Sequence, residues 1–122
     1  MPSDKLPLSV AIIAKNEEDR LPDCLASVAF ADEVVVVDSG STDRTVDIAR
    51  EFGAVVHVEP WQGFGRQKQL AIDRCRHDWV LVLDADERIS AEAQAEIREV
   101  LSTEACVAYS FPRKNYFCGR WL

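Results

Sequence analysis

Four apolar runs set the frame of this chain: residues 8–14, 34–37, 54–58 and 79–83. They begin about 20–27 residues apart and a stretch of helical character fits between each pair, the β-α-β rhythm of a parallel sheet covered by helices. Val34-Val35-Val36-Val37 is the plainest strand, β-branched throughout. Asp78-Trp79-Val80-Leu81-Val82-Leu83-Asp84-Ala85-Asp86-Glu87 carries the most chemistry, an apolar run that ends abruptly in carboxylates. Such a run reads as a buried strand delivering charge to the edge of a sheet.

Punctuation between the strands predicts the helices. Pro22 suits the first turn of a helix over 21–29, and cap chemistry around Ser41 to Thr45 opens another over 43–52, with Gly53 just past its end. A third helix is expected over 66–76, and Ser90 caps a fourth over 91–101. A fifth strand is expected over 106–111. Right-handed crossovers put the carboxyl ends of parallel strands on one edge, so Asp38, Asp84, Asp86 and the Asn16-Glu17 cluster share it. Ligands bind at that edge in open α/β sheets. In extended geometry Asp84 and Asp86 point to the same side, and like charges sharing a site favour a divalent cation.

Composition narrows the partners. A chain of 122 residues is expected to form one domain with its own core. The formal charge of −7 argues against general affinity for nucleic acid or an anionic membrane, both of which need clustered cations. Cys24, Cys75, Cys106 and Cys118 form no metal-binding pattern with His57 and His77 and read as thiols in a reducing cytosol. No signal peptide opens the chain and no apolar run approaches the roughly 20 residues that span a bilayer. A cytoplasmic protein is therefore expected, with any membrane contact peripheral or supplied by sequence not present here.

Three motifs in order then resemble a known family. Ala14-Lys15-Asn16-Glu17-Glu18, Val37-Asp38-Ser39-Gly40-Ser41-Thr42-Asp43-Arg44-Thr45 and Leu83-Asp84-Ala85-Asp86-Glu87 are similar to the ordered motifs of the family 2 glycosyltransferases with the GT-A fold. With the stretches 61–69 and 111–117, the text most resembles the bacterial lipopolysaccharide core β-1,4-glucosyltransferases. The resemblance implies an open, mostly parallel sheet with helices on both faces. It implies a UDP-sugar donor, glucose being the expected sugar, and a lipopolysaccharide core or other glycan or lipid-linked acceptor. Asp38 would contact uracil or ribose, Asp84 the ribose, and Asp86 a Mg²⁺ or Mn²⁺ ion on the diphosphate. Asn16 and Glu17 would line the nucleotide pocket, and Lys68 or Arg66 would reach base or phosphate.

The resemblance also implies a catalytic base downstream of Leu122, in proteins roughly twice this length. The chain is thus expected to be the donor-binding half of a transferase, inactive alone, with 112–122 as a tail that forms an acceptor-side wall or packs on the missing half, and that is poorly ordered or self-associates in either case. Other classes remain in view: a non-catalytic nucleotide-binding module, a sugar nucleotidyltransferase, and a signalling receiver domain, which would need acid after strand one where Lys15-Asn16 stands. Blander roles compete residue by residue. Asp38 can stabilise an Asx-turn over Ser39-Gly40-Ser41, Asp43 and Thr45 can start a helix, and Trp61 and Phe64 can either stack on a base or cover the core.

Overall fold

Val10, Ala11, Ile12 and Ile13 lie in the middle of strand β1 (Leu6–Ala14), and burial on both faces makes this strand the axis of the sheet. A computed structural model describes residues 5–103 and 115–118. β1 pairs in parallel with β2 (Ala31–Asp38) on one side and β4 (Trp79–Asp84) on the other. β3 (Val55–Val58) extends the sheet beyond β2 and β5 (Asn115–Cys118) beyond β4, giving the order β3-β2-β1-β4-β5 with every pairing parallel. The chain winds outward from β1 through β2 to β3, then returns across β1 to β4. That reversal is a topological switch point, the place where loops diverge and leave a crevice.

Period-two alternation sorts the strand residues into two layers. Val10, Ile12, Val36, Leu81 and Leu83 join Leu21, Cys24 and Leu25 of helix α1 (Leu21–Ser27) and Ala49 of α2 (Thr45–Glu51). Ala93 and Ile97 of α4 (Ala91–Thr103) belong to the same cluster. Ala11, Ile13, Val35, Val37, Val80 and Val82 face the other way, onto Ala71 of α3 (Phe64–Asp73) and Cys75 just beyond it. Cys24 and Cys75 are thus core thiols, and burial pushes the Cys24 thiol up to about 12, so it stays protonated.

The helices begin and end where local chemistry allows. Ser90 Oγ accepts the N–H of Ala93 at 3.1 Å, the expected N-cap bond. Gly53 closes α2 at φ 84° with its N–H on the carbonyl of Arg50. α2 starts at Thr45, later than expected, because Asp43 accepts the N–H of Thr45 from outside the helix. α3 starts at Phe64, earlier than expected, with Gly63 at φ 96° making the turn into it. The expected strand over 106–111 lies outside the described residues, and β5 falls inside the stretch expected as a tail; the rest of that tail is also outside them.

At the amino ends of the strands, away from the crevice, a polar cluster ties three segments together. Glu33 is 8 % exposed and accepts from Ser9 Oγ at 2.6 Å, the Arg76 N–H at 2.7 Å and Arg76 Nε at 2.9 Å. His77 adds its N–H to Ser9 Oγ and sits 2.8 Å from Asp32 through Nε2. Every polar atom buried in this cluster has a partner, which is what makes a buried carboxylate tolerable.

Candidate functional site

The parallel register brings the acidic strand ends to one level. Asp38 pairs with Ala14 across β2 and β1, and Asp84 pairs with Ile13 across β4 and β1. A cleft of ≈ 530 Å³ opens at this edge, within the range of small-ligand sites. Ile13 and Ala14 line it from the end of β1 with Lys15 and Glu17 just beyond, Ser39 from just after β2, and Asp84 from the end of β4 with Ala85 and Asp86 beyond it; Trp61, Phe64 and Gln67 close it from α3 and its preceding loop.

Asp38 and Asn16 are engaged by the protein itself. Asp38 is 1 % exposed; its Oδ2 accepts the N–H groups of Gly40 and Ser41 at 2.9 and 2.8 Å, and its Oδ1 accepts the Ser41 hydroxyl. This is the Asx-turn arrangement, held by the N–H groups that follow the strand. Asn16 adopts φ 51°, donates its N–H to Ser41 Oγ at 2.8 Å and accepts the Thr42 N–H on Oδ1 at 2.8 Å. Glu17 donates its N–H to Thr45 Oγ1 at 2.9 Å. The loops after β1 and β2 are therefore latched to each other, and neither Asn16 nor Asp38 is among the residues that line the cleft.

Asp84 is in the opposite condition. Its Oδ1 is buried without a hydrogen-bond partner, and Lys68 Nζ stands 3.9 Å away, an ion-pair distance beyond hydrogen-bond reach. Its backbone is clamped, the N–H to Glu87 Oε1 at 2.9 Å and the carbonyl to the Glu87 N–H at 3.0 Å. That turn also changes how Asp86 arrives at the cleft. β4 stops at Asp84, so Asp84 and Asp86 meet there through a turn and not through the extended alternation expected from their spacing. Asp86 is 45 % exposed and lies 3.5 Å from Arg20 Nη1, which is itself exposed.

The cleft is electronegative. The carboxyl of Glu17 is raised above its usual range, chiefly by burial, opposed by Arg20 and reinforced by Asp86, Asp43 and Asp84. Such a field attracts a cation and repels a bare phosphate, so an anionic ligand needs a counter-ion there. Lys68 is positioned to help, whereas Arg66, two residues earlier and so near the opposite face of α3, is exposed.

Three contributors lay beyond what sequence reasoning could assign. Arg20 reaches Asp86 from outside the motifs. Ser39 lines the cleft and is held by its N–H, which donates to the Ala14 carbonyl at 3.1 Å. Gln67 is fully buried, its Nε2 donating to the Glu59 carbonyl and its Oε1 accepting the Gln62 N–H, both at 3.2 Å. A glutamine on a helix gives no hint that it will staple a loop. Replacing it by leucine leaves both backbone groups without partners, and thermal denaturation is expected to show a loss of about 1–2 kcal/mol.

A doubly wound parallel sheet with a carboxylate-lined crevice at its switch point is the architecture of nucleotide-diphospho-sugar transferases, and the fold is GT-A. Comparison with known proteins agrees: residues 9–121 match the profile of glycosyl transferase family 2, and the chain belongs to that family. It is 37% identical over 121 residues to the lipopolysaccharide core biosynthesis glycosyltransferase LpsC of Rhizobium meliloti, covering 94% of this chain and 45% of that protein. It is 48% identical over 98 residues to an uncharacterized glycosyltransferase of Rickettsia bellii, covering 80% and 33%. Among solved structures it resembles S. aureus TarS 1–349 in complex with UDP-GlcNAc, with a TM-score of 0.65 and 26% identity over 80% of this chain and 32% of that one. It also resembles glucosyl-3-phosphoglycerate synthase from Mycobacterium tuberculosis with Mn²⁺, UDP and product, with a TM-score of 0.54 and 29% identity over 66% and 35%. The chain spans less than half the length of these curated relatives. No helix among the described residues is long and apolar enough to cross a membrane.

Proposed function

We propose that this chain is the donor-binding part of a glycosyltransferase that takes a sugar, glucose, from a UDP-linked donor and passes it to a glycan of the lipopolysaccharide core type. One observation carries the reading: Asp84 presents a buried, unpartnered carboxylate oxygen at the switch point, beside Asp86 in the same cleft. A buried acceptor without a donor is costly, and the ribose hydroxyl of a nucleotide is the donor that would satisfy it. The UDP-bound S. aureus and M. tuberculosis structures support the ligand class, and the name of the R. meliloti protein supports the acceptor class.

The residues fit a divalent cation. Among the described residues no three His, Cys, Asp or Glu groups converge to hold a metal unaided. Mg²⁺ and Mn²⁺ are commonly held by one or two carboxylates, with phosphate oxygens and water completing the shell, and Asp86 with its hard oxygens suits that arrangement. When bound, the ion would neutralise charge on the departing diphosphate. Asp84 would orient the ribose, Lys68 would stand near the phosphates, and Glu17 would border the pocket. Asn16 and Asp38 would serve the nucleotide through the loops they latch, with the half-buried Ser39 lining the cleft beside them.

Calorimetric titration of the folded chain with UDP, with and without Mn²⁺, tests this. Binding that requires the metal is expected, and absence of UDP binding by the folded chain in the presence of Mn²⁺ overturns the reading. Transfer itself is to be measured on a chain of its relatives' length.

A further inference from the structure

We propose that Arg20 is a built-in competitor for the divalent cation at Asp86: its guanidinium pairs with that carboxylate, and a metal ion takes Asp86 only by displacing it. The inference rests on the donor reading above and adds to it the group that regulates entry of the metal.

The helix does not explain this arginine. Arg20 stands at the N-cap of α1, where side chains that accept a hydrogen bond are favoured and a cation opposes the helix dipole. It makes no side-chain cap. Its backbone is nevertheless fixed. The N–H groups of Arg20 and Leu21 both donate to the Glu17 carbonyl, at 3.1 and 2.8 Å, and the Arg20 carbonyl accepts the Cys24 N–H at 3.2 Å. Glu17 is in turn tied to Thr45 Oγ1. The latched loop therefore delivers the side chain to the mouth of the cleft, while 66 % exposure leaves the guanidinium room to swing.

At the cleft the pairing is loose enough to be exchanged. Arg20 Nη1 lies 3.5 Å from Asp86 Oδ2, between two exposed side chains. The same charge acts on Glu17, whose carboxyl burial raises and Arg20 pulls back down, so the guanidinium faces two of the carboxylates that border the cleft. Asp84 and Asp86 are thus each met by a cation from a different segment, Lys68 of α3 at 3.9 Å and Arg20 before α1 at 3.5 Å. A doubly charged ion on Asp86 and a guanidinium beside the same carboxylate repel each other, which makes the two alternatives. Among the described residues no three His, Cys, Asp or Glu groups converge, so the protein offers a metal ion few oxygens to outweigh Arg20. Diphosphate oxygens would add the missing ligands, and the competition therefore weighs most against the ion on its own.

The experiment is titration of Mn²⁺ alone into wild type, Arg20→Gln, Arg20→Lys, Arg88→Gln and Asp86→Ala, with free Mn²⁺ read from its electron paramagnetic resonance signal. UDP is then titrated into each at saturating Mn²⁺. Melting curves check that the exposed substitutions leave the fold intact. Arg20→Gln is expected to bind Mn²⁺ about two- to five-fold more tightly, the scale of one exposed ion pair, and Arg20→Lys, which keeps the charge, to stay near wild type. Arg88 pairs with Asp23 at 4.0 Å, so Arg88→Gln lowers the local positive charge without touching the pair at Asp86 and should leave Mn²⁺ affinity unchanged. UDP affinity at saturating Mn²⁺ should not fall in Arg20→Gln. If Arg20→Gln binds Mn²⁺ as wild type does, or more weakly, while Asp86→Ala has lost it, Arg20 is no competitor and the donor reading stands. Equal tightening by Arg88→Gln would also overturn the inference, because it would mark a general effect of charge. A loss of UDP affinity in Arg20→Gln would overturn it by making Arg20 a contact of the donor. Failure of wild type to bind UDP in the presence of Mn²⁺ would bring down the donor reading and this inference with it.

Discussion

Replacing Asp86 by alanine is expected to lower Mn²⁺-dependent UDP affinity by about 100-fold or more, since loss of even an outer hydrogen-bond partner of a metal ligand commonly costs 10- to 100-fold. The folded state should be indifferent to the change. Asp86 is 45 % exposed and its ion pair with Arg20 spans 3.5 Å between exposed side chains. Pairs of that kind contribute about 0–1 kcal/mol, so the melting temperature should move little. Asp84→Ala should weaken UDP as well but with a different signature. It removes an orphaned buried acceptor and a neighbour of Lys68, so stability should hold or rise slightly while binding falls. A titration in which Asp86→Ala retains both the affinity and the metal dependence of wild type would remove Asp86 from the site.

The second large effect lies at the other edge of the sheet. Glu33→Ala is expected to destabilise the chain by about 2–4 kcal/mol, because it leaves the buried Ser9 hydroxyl and the Arg76 N–H without their acceptor. Urea denaturation of the variant, with UDP binding measured in parallel, separates this structural role from the site. The affinity of the folded fraction should be unchanged. The pH dependence follows from the same contacts. Burial pushes the Glu33 carboxyl up, but the Arg76 N–H, the Ser9 hydroxyl and the Arg76 charge together outweigh it, and the net direction is down. A carboxylate whose folded value lies below its unfolded one contributes fully above about pH 4.5 and loses that contribution as pH falls through the folded value. Wild type should therefore lose stability on acidification below about pH 4.5, and Glu33→Ala should show a shallower loss over that interval. Identical acid profiles for the two proteins would refute the assignment.

Much of the sheet could be read before any coordinates. β-branched and apolar runs declare strands through local sterics and period-two patterning, and the helices between them force parallel pairing. Ser90 and Gly53 marked helix ends because capping is a local exchange of hydrogen bonds. The departures arose where single side-chain to backbone hydrogen bonds and a positive-φ glycine outweighed propensity and periodicity. α3 begins at Phe64 because Gly63 supplies the positive φ that turns the chain and Gln67 ties the first turn to the preceding loop. The turn after Asp84 follows from Glu87 folding back onto it, which strand periodicity does not anticipate.

The site shows the same division. Val37-Asp38 and Leu83-Asp84 look alike in sequence, each an apolar strand that ends in acid, and their arrival at one sheet edge followed from topology alone. What separates them is the company each carboxylate keeps. Asp38 is closed in by Gly40 and Ser41, with the Asn16 loop folded over them, whereas Asp84 Oδ1 is buried and left without a partner. Local sequence determined the strands, the helix caps and the edge at which charge collects, because those depend on neighbours a few residues away. Only the tertiary structure decided that Asp84, unlike Asp38, keeps one carboxylate oxygen buried without a hydrogen bond, with Lys68 of α3 at ion-pair distance, because that depends on segments brought together from β4 and α3.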